Sequence, residues 1–404
     1  MLRRLQLLIL AVVLVVAAFS TGLPFLFFLV YMGLLVGGGS YILTRLGLSD
    51  LEAGYAVSQL SAHVGDKLRV TYTLRNTGRL PKPWLEVHNP TTLTGGLPGR
   101  ALSLRGRAER SWLVRTTLER RGHFRIEPLQ IRTGDPFGFF EASAGVGQGI
   151  TLVVYPRVEA LPMWRLPPAS IEGAHASPER TLQTTPLATT VRPYAPGDSM
   201  NRIHWRTTAK TGEIQVKEFD LEQTADAWIF LDLDAACEAG EGDESTTEVA
   251  VRAAASIADK ALGENRAVGL TVNGHRLTVL PADRGARQRL KILQLLAAVE
   301  ADGRAPLDEA LLTGLGRLRR GMTAIIITAS PETTWVRPLG VLRNRGIGVV
   351  VVSLEAGAFA PAADESGVEL QLKRSRALRH ALAEYELPAV RIGPHQALAE
   401  ALAR

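Results

Sequence analysis

Two long runs without a charged residue open the chain, and they constrain its fold more than any other feature. Residues 5–20 and 23–43 contain no Asp, Glu, Lys or Arg. At 1.5 Å per residue, a helix over the second run is about 31 Å long, enough for the roughly 30 Å hydrocarbon core of a bilayer. The first run reaches only about 24 Å and needs flanking residues or a thinner bilayer to cross. The sequence therefore predicts a two-helix transmembrane hairpin over residues 1–47.

Arginines flank this hairpin but are absent from the link between its helices. Arg3 and Arg4 precede the first run, and Arg45 follows the second. Because positively charged flanks stay in the cytoplasm, we expect a two-pass protein of the cell membrane whose N-terminus and whose body after Arg45 are cytoplasmic. A cleaved signal peptide is the alternative for the first run, but it leaves the second run unexplained.

The rest of the chain has the composition of folded domains. The protein has 404 residues, 46% of them hydrophobic and 21% charged, which argues against wholesale disorder. The single cysteine, Cys237, excludes an internal disulfide. The pattern predicts a multidomain protein with the hairpin (1–47), a β-rich sandwich-like domain (50–160), a linker with a signature segment (161–221) and an α/β domain (222–404).

Alternating hydrophobicity identifies the β-rich domain. In residues 67–75, Leu68, Val70, Tyr72 and Leu74 fall on one face, as in a half-buried strand. Further strands are predicted at residues 84–87, 101–104, 111–118, 129–132 and 150–155. Short strands at this spacing indicate an antiparallel sandwich. Residues 135–140 read as a tight turn whose phenylalanines either fill the core or form a contact surface for a partner.

One stretch of this domain is strongly basic. Nine arginines and three glutamates lie between Arg100 and Arg132, an excess equal to the +6 net charge of the whole chain. This predicts a local basic surface and argues against a nucleic-acid-binding charge spread over the protein. The alternatives are a solvated sheet face and contact with anionic lipid headgroups. The lipid-contact candidates are Arg105, Arg107, Arg110, Arg120 and Arg121.

The signature segment, residues 191–219, combines a Pro-Gly turn with clustered charges and aromatics. We predict a short helix over residues 201–207 capped by Asp198 or Ser199, ended by Gly212 and followed by a strand at residues 214–219. An ion-pair network around a buried Trp205 is one interpretation, and a partner-docking surface is another. An Asp198–His204 acid–base pair is a third, although no nucleophile motif accompanies it. The candidate residues are Arg192, Tyr194, Gly197, Asp198, Arg202, His204, Trp205 and Lys217.

These residues carry a family resemblance. The motifs at 192–198, 202–205, 209–210 and 216–219, together with Asn76-Thr77-Gly78 and Tyr155-Pro156-Arg157, resemble a bacterial and archaeal family of membrane proteins filed as a domain of unknown function (number fifty-eight). The resemblance implies association with a MoxR-type AAA+ ATPase. It implies no settled biochemical activity.

Strand and helix patterns alternate after residue 222. Residues 227–233, 267–272, 323–328 and 347–353 read as buried strands, and residues 246–262, 286–299 and 307–318 read as helices. This alternation predicts a doubly wound α/β sheet. The sequence lacks both GxGxxG after a strand and GxxxxGK[ST], so dinucleotide and NTP binding are not supported.

The first of these strands ends in IFLDLDAAC, which resembles the opening of a von Willebrand factor A-type domain. In that family a D-x-S-x-S motif holds a divalent cation. Asp232 matches the aspartate, while Asp234 and Ala236 replace the serines, and Ala236 offers no oxygen ligand. We therefore expect no cofactor, with Asp232 and Asp234 as weak candidates for a divalent cation.

Together these features predict a non-enzymatic, membrane-anchored adaptor that engages a soluble protein, which the resemblance implies to be a MoxR-type ATPase. The first alternative is a metal-dependent or hydrolytic enzyme that uses Asp198 and His204, or Asp232 and Asp234. The second is a basic binder of a lipid surface or of nucleic acid, of which nucleic acid is the less favoured because the signature segment balances its charges.

Overall fold

A computed structural model describes residues 2–165, 190–195, 198, 200–218, 226–360 and 365–403. The chain divides into two compact units. The first comprises Met1–Arg157 with Leu293–Val299, and the second comprises Val158–Ile292 with Glu300–Arg404.

The first unit begins with two apolar helices, α1 (Leu2–Thr21) and α2 (Pro24–Gly47). Pro24 occupies the first turn of α2, where its missing N–H costs no hydrogen bond. Among the described residues, α2 is the one helix long and apolar enough to cross a membrane, with a mean hydropathy of 1.9. The apolar part of α1, Ile9–Thr21, is shorter. By length and composition, α2 is therefore the candidate membrane span.

Ten strands follow, and their burial pattern shows how the sequence forms them. They are β1 (Leu51–Val57), β2 (Ser61–His63), β3 (Lys67–Asn76), β4 (Lys82–His88), β5 (Arg100–Leu104), β6 (Glu109–Thr117), β7 (Gly122–Ile126), β8 (Leu129–Gly134), β9 (Glu141–Val146) and β10 (Ile150–Tyr155). Alternate residues of β3 are buried, which confirms the predicted face of Leu68, Val70, Tyr72 and Leu74. The predicted strands are present, but periodicity missed β1, β2, β7 and β9.

These strands form three small sheets, in the orders β1-β3-β6, β2-β10-β7 and β5-β4-β8-β9. All pairings are antiparallel except β2 with β10. Side chains of all three sheets share one apolar core that includes Leu85, Ile126 and Leu152. The middle of the chain is thus β-rich, as predicted.

The turn at residues 135–140 differs from the expectation. Phe137 is 56% exposed, and Phe139 and Phe140 are only partly buried, so the prediction that these rings fill the core is wrong. The carboxylate of Asp135 accepts hydrogen bonds from the backbone N–H groups of Phe137 and Phe140, and this closes the turn with the rings outside the core.

The second unit contains a strand pair, β11 (Thr190–Pro193) and β12 (Gln215–Glu218), with the short helix α3 (Trp205–Thr211) between them. The other strands are β13 (Ala227–Asp232), β14 (Val268–Asn273), β15 (Leu277–Asp283), β16 (Thr323–Thr328), β17 (Gly348–Leu354) and β18 (Ala389–Ile392). The other helices after residue 226 are α4 (Thr246–Gly263), α5 (Gly285–Ala298), α6 (Leu307–Leu315), α7 (Val336–Asn344), α8 (Ala356–Phe359), α9 (Glu365–Glu384) and α10 (Leu398–Ala401). The end of α5, from Leu293 onward, belongs to the first unit.

Strands β13 to β18 form one mixed sheet in the order β15-β14-β13-β16-β17-β18. Only β15 runs antiparallel to its neighbour. Every residue of β13, β14, β16 and β17 is buried, as expected for β-branched runs covered on both faces. The chain order reverses on either side of β13, because β14 lies on one side and β16 on the other. Such a reversal opens a crevice at the carboxyl ends of the strands.

Candidate functional site

The signature segment folds as a closed motif. Strands β11 and β12 pair antiparallel, with Arg192 opposite Val216 and Pro193 opposite Gln215. Helix α3 ends at Thr211, and Gly212 follows it with a φ of +74°, the left-handed conformation that glycine favours, so the predicted stop is confirmed. Residues 192 and 216 pair in the same two-stranded ladder although 23 residues lie between them in the chain.

A bidentate ion pair connects the loop after β11 to the strand itself. The Arg192 guanidinium donates to both carboxylate oxygens of Asp198, each at 2.8 Å. The same carboxylate accepts from the Ala195 backbone N–H at 2.9 Å. Asp198 is therefore committed to closing this loop, and its side chain is largely shielded from solvent.

His204 caps the helix α3, a role that the sequence predicted for Asp198 or Ser199. Helix α3 begins at Trp205, four residues later than predicted, and His204 caps it because its Nδ1 accepts from the Thr207 N–H at 3.2 Å. The same nitrogen lies 2.6 Å from the Thr207 hydroxyl oxygen. The prediction that Asp198 or Ser199 caps this helix is wrong, because Asp198 binds Arg192. His204 and Asp198 thus serve different local contacts.

Trp205 is 69% exposed, so the expectation of a buried Trp205 is wrong. A cap at His204 places the indole on the first turn of a short exposed helix. The neighbouring apolar side chains of Met200, Tyr194 and Ile214 are also exposed. Of the other candidates, Gly197 and the side chains of Arg202 and Lys217 lie outside the described residues.

The carboxyl end of β13 holds a buried polar cluster built from three adjacent strands. One Asp232 oxygen accepts from the Asn273 amide at 3.0 Å, and the other accepts from the Thr328 hydroxyl at 2.7 Å. Asn273 ends β14 and Thr328 ends β16, so the sheet order brings the three residues together. Burial raises the pKa of Asp232; the two hydrogen bonds oppose this rise, and the nearby charge of Asp234 adds to it.

Asp234 and Cys237 lie in the loop that follows. The Asp234 carboxylate accepts from the Ala236 N–H at 3.0 Å and caps a short turn, while its other oxygen is 3.8 Å from the Cys237 sulfur. Burial, together with the charges of Asp234 and Asp232, raises the pKa of the Cys237 thiol to about 12. Throughout the described residues, no group of three or more His, Cys, Asp and Glu side chains is placed to hold a metal ion.

A cleft of about 1050 Å³ opens beside this cluster. Its walls are the loops that follow β13, β16 and β17 and one face of α9. Val368 and Leu372, one helical turn apart on α9, line it and remain exposed to solvent. Arg391 and Glu355, an ion pair at 3.2 Å, border it. Periodicity at residues 368, 372, 378 and 382 is the signal that would have predicted this helix and its lining face.

Most of the arginines predicted to contact lipid are exposed in the first unit. Arg105, Arg107, Arg110 and Arg120 are exposed. Arg121 is only partly exposed, and its guanidinium donates to two backbone carbonyls at 2.9 and 2.7 Å. Four of the five lipid-contact candidates thus face solvent, and contact with lipid stays a prediction.

The chain resembles a known protein family over about half of its length. Residues 190–384 match the family model described as Protein of unknown function DUF58. The DUF58 region runs from β11 to the end of α9, so it contains the signature segment, the Asp232 cluster and the α9 face of the cleft.

Two uncharacterized bacterial proteins are similar to much or part of the chain. Uncharacterized protein YeaD of Bacillus subtilis is 24% identical over 366 residues, which cover 88% of this chain and 87% of that protein. Uncharacterized protein Rv1480 of Mycobacterium tuberculosis is 30% identical over 159 residues, or 38% of this chain. The match spans 50% of the mycobacterial protein.

Solved structures resemble parts of the chain. Proximal thread matrix protein 1 from the mussel byssus matches 44% of this chain and 46% of its own, at 10% identity and a TM-score of 0.30. The CARDB domain of a Pyrococcus furiosus protein matches 26% of this chain and 92% of its own, at 14% identity and a TM-score of 0.20.

Proposed function

We propose that this protein is a non-enzymatic, membrane-anchored adaptor that binds a soluble protein partner in the cleft beside α9. The observation that carries the proposal is the pair of solvent-exposed apolar side chains, Val368 and Leu372, on the wall of a cleft at the carboxyl ends of the strands. Exposed apolar side chains in a concave surface are typical of protein-binding sites, since burying them against a partner is favourable.

The Asp232 cluster supports a binding role over a catalytic one. Both carboxylate oxygens already accept hydrogen bonds from Asn273 and Thr328. A carboxylate so engaged joins three strand ends and has less capacity to ligate a cation or move a proton. Cys237, with its raised pKa, is a protonated thiol at neutral pH and a poor nucleophile.

The fold supports a finer assignment of the second unit. If the six strands of its sheet, β13 to β18, are numbered 1 to 6 along the chain, their order across the sheet is 3-2-1-4-5-6, and strand 3 is antiparallel to its neighbour. Together with the Asp232-x-Asp234-x-Ala236 sequence, this order supports a degenerate von Willebrand factor A-like domain. Its partner, on the strength of the family resemblance alone, is a MoxR-type AAA+ ATPase that remodels or assembles client complexes.

The anchor is proposed to be the two-pass hairpin of α1 and α2. Phe19 of α1 and Phe27 of α2 pack edge to face at 5.2 Å, which supports a paired arrangement. With Arg3, Arg4 and Arg45 at the outer ends, this hairpin directs both termini to the cytoplasm.

A matched pair of α9 variants tests the adaptor. Leu372→Glu puts a charge into the cleft, whereas Leu370→Glu puts one on the same helix outside it; the two wild-type side chains are 48% and 52% exposed. After affinity capture from detergent-solubilised membranes and mass spectrometry, we expect wild type and Leu370→Glu to retain an AAA+ ATPase and Leu372→Glu to lose it. Equal retention by both variants would refute docking in the cleft.

Calorimetry separates the adaptor from a metal-dependent enzyme. Mg²⁺, Ca²⁺ and Mn²⁺ are titrated into wild type and into Asp232→Ala. Tight binding that the substitution abolishes would favour the enzyme, and the adaptor predicts no such difference.

The exposed face of α3 is a second candidate docking surface within the same function. Exposed tryptophan is enriched among residues that dominate binding energy. In the same capture experiment, Trp205→Ala is expected to weaken retention of the partner if this surface contributes. Unchanged retention would leave the cleft as the proposed site.

A further inference from the structure

The last turns of α2 are packed against the strands of the first unit. Ser40, Thr44 and Gly47 are buried and recur at intervals of four and three residues, so they occupy one face of the helix. Gly47 lies so close to Thr133 that a Cβ at residue 47 would fall 2.7 Å from the threonine methyl. The helix and β8 are therefore in direct van der Waals contact.

A buried lysine fixes the end of the same helix. Lys82, at the start of β4, is 2% exposed, and its ammonium group donates to the Leu46 carbonyl and lies 3.4 Å from the Ser49 hydroxyl. A cation at the C-terminus of a helix satisfies unpaired carbonyls and is favoured by the helix dipole. Burial lowers the pKa of Lys82, and the charge of Asp50 opposes this change. These contacts hold the end of α2 against the start of β4.

The turn at residues 135–140 is held beside α2 at the level of Tyr41. The Phe140 ring packs edge to face on Tyr41 at 5.7 Å. The buried Ser40 hydroxyl lies next to the Asp135 carboxylate and helps to lower its pKa. Asp135 also accepts from the N–H groups of Phe137 and Phe140, at 2.9 and 2.6 Å, and so closes the turn. The ring contact of Phe140 with Tyr41 holds this closed turn against the helix.

This fixed turn presents aromatic rings that have no partner in the core. Phe137 and Phe139 stack at 5.6 Å, and Phe137 is mostly exposed. Trp84, whose side chain lies against Gly134 at the start of the turn, is also exposed. The Arg45 guanidinium lies 5.9 Å from the centre of the Tyr41 ring, so one arginine and several aromatic side chains are found near the end of this apolar helix.

The position of that group follows from the length of α2. The uncharged stretch from Pro24 to Thr44 is about 31 Å long and fills a hydrocarbon core of about 30 Å, so Arg45 marks the headgroup level. Tyr41 precedes Arg45 by one helical turn, which places it about 6 Å deeper. Side chains packed at that level lie at the boundary between headgroups and acyl chains, where aromatic residues are favoured.

We propose that the turn at residues 136–139 is an interfacial wedge, in which Phe137 and Phe139 insert into the lipid headgroup boundary next to α2. The proposal rests on the membrane anchoring proposed above. The wedge would be a second lipid contact, distinct from the arginine surface. Because this contact is apolar, its strength would not depend on salt. The wedge would hold the first unit at a fixed tilt on the bilayer, because the same turn is bound to the helix.

The test places a fluorinated phenylalanine at single positions of the full-length protein in phosphatidylcholine/phosphatidylglycerol nanodiscs. Position 137 is compared with position 34 in the middle of α2 and with position 60 after β1, all of which carry exposed side chains. Fluorine relaxation is measured with headgroup-spin-labelled lipid, with acyl-chain-spin-labelled lipid and with a soluble nickel chelate.

We expect the headgroup label to relax position 137 strongly and the nickel chelate to relax it weakly, at low and high salt alike. Position 60 should respond to nickel, and position 34 to the acyl-chain label. A response to nickel at position 137, with position 34 still embedded in lipid, would overturn the wedge while the anchor stands. Protection of position 137 from both lipid labels and nickel would mean that protein covers it, and this also overturns the wedge. Exposure of position 34 to nickel would overturn the anchor itself.

Discussion

Replacing Asp135 by asparagine removes a charge from the contact between the β8–β9 turn and α2. The carboxylate accepts from the N–H groups of Phe137 and Phe140 and lies beside the buried Ser40 hydroxyl. An asparagine has one acceptor oxygen, and its NH₂ group would face one of these donors. At least one backbone N–H then loses its partner.

The expected cost follows from the hydrogen bonds. A hydrogen bond to a charged group is worth about 1.5–3 kcal/mol, so losing one charged acceptor should destabilise the first unit by about 2 kcal/mol. For a unit of roughly 150–250 residues, each kcal/mol lowers Tm by about 2–4 °C. Asp135→Asn should therefore lower the Tm of the first unit by about 4–8 °C.

The effect also has a predictable pH dependence. Burial raises the pKa of Asp135, but the hydrogen bonds from Phe140 and Phe137 and the Ser40 hydroxyl outweigh it, so the net pKa lies below its usual value of 3.8. A pKa depressed by folding contributes stability above the unfolded value and loses it as the pH falls through the folded value. The difference between wild type and Asp135→Asn should thus be full at pH 7 and shrink below about pH 4.

Differential scanning calorimetry in detergent micelles measures both effects. Asp66→Asn is the matched control, because the Asp66 carboxylate also accepts one backbone N–H, from His63 at 2.8 Å, but in an exposed turn. We expect less than about 1 kcal/mol there. Equal shifts for the two variants, or a difference at residue 135 that does not change with pH, would refute the reasoning.

Three further predictions concern the second unit. With a pKa of about 12, Cys237 should react with iodoacetamide at pH 8 roughly 1000-fold more slowly than a free cysteine. Mass spectrometry measures this reaction directly because Cys237 is the only thiol in the chain, and the rate of a free cysteine would contradict the burial of the thiol. Gly340→Ala should lower the free energy of unfolding by about 1–3 kcal/mol, because the new methyl group would collide with the Tyr385 ring packed against the core. An unchanged thermal midpoint would show that this ring moves freely. In Arg192→Lys, the lysine cannot form both hydrogen bonds to Asp198, so the rate of amide hydrogen exchange at Ala195 should rise by a factor that corresponds to about 1 kcal/mol. An unchanged exchange rate would show that the Arg192–Asp198 pair does not hold the loop.

Local periodicity predicted the elements whose burial repeats along the chain. In β3, alternate apolar residues predicted both the strand and its buried face. In β16 and β17, β-branched runs predicted strands covered on both sides. The Gly212 stop is equally local, because only the backbone of that residue must adopt a positive φ.

The candidate site was predicted less completely. The sequence pointed to Asp232 and Asp234 at a strand end and to the charged signature segment, and it missed α9 and the cleft that α9 forms. It also assigned the cap of α3 to Asp198 or Ser199, whereas the observed cap is His204. Asp198 instead pairs with Arg192.

By itself the sequence determined the apolar span of α2, the β-rich middle and the α/β alternation, since each depends on side chains that are neighbours along the chain. Only the tertiary structure decided which groups meet: Asp232 with Asn273 and Thr328, and the β8–β9 turn with the end of α2. The physical reason is that these contacts depend on strand order and on packing between distant segments. Such long-range pairings leave no repeat in the sequence from which they could be read.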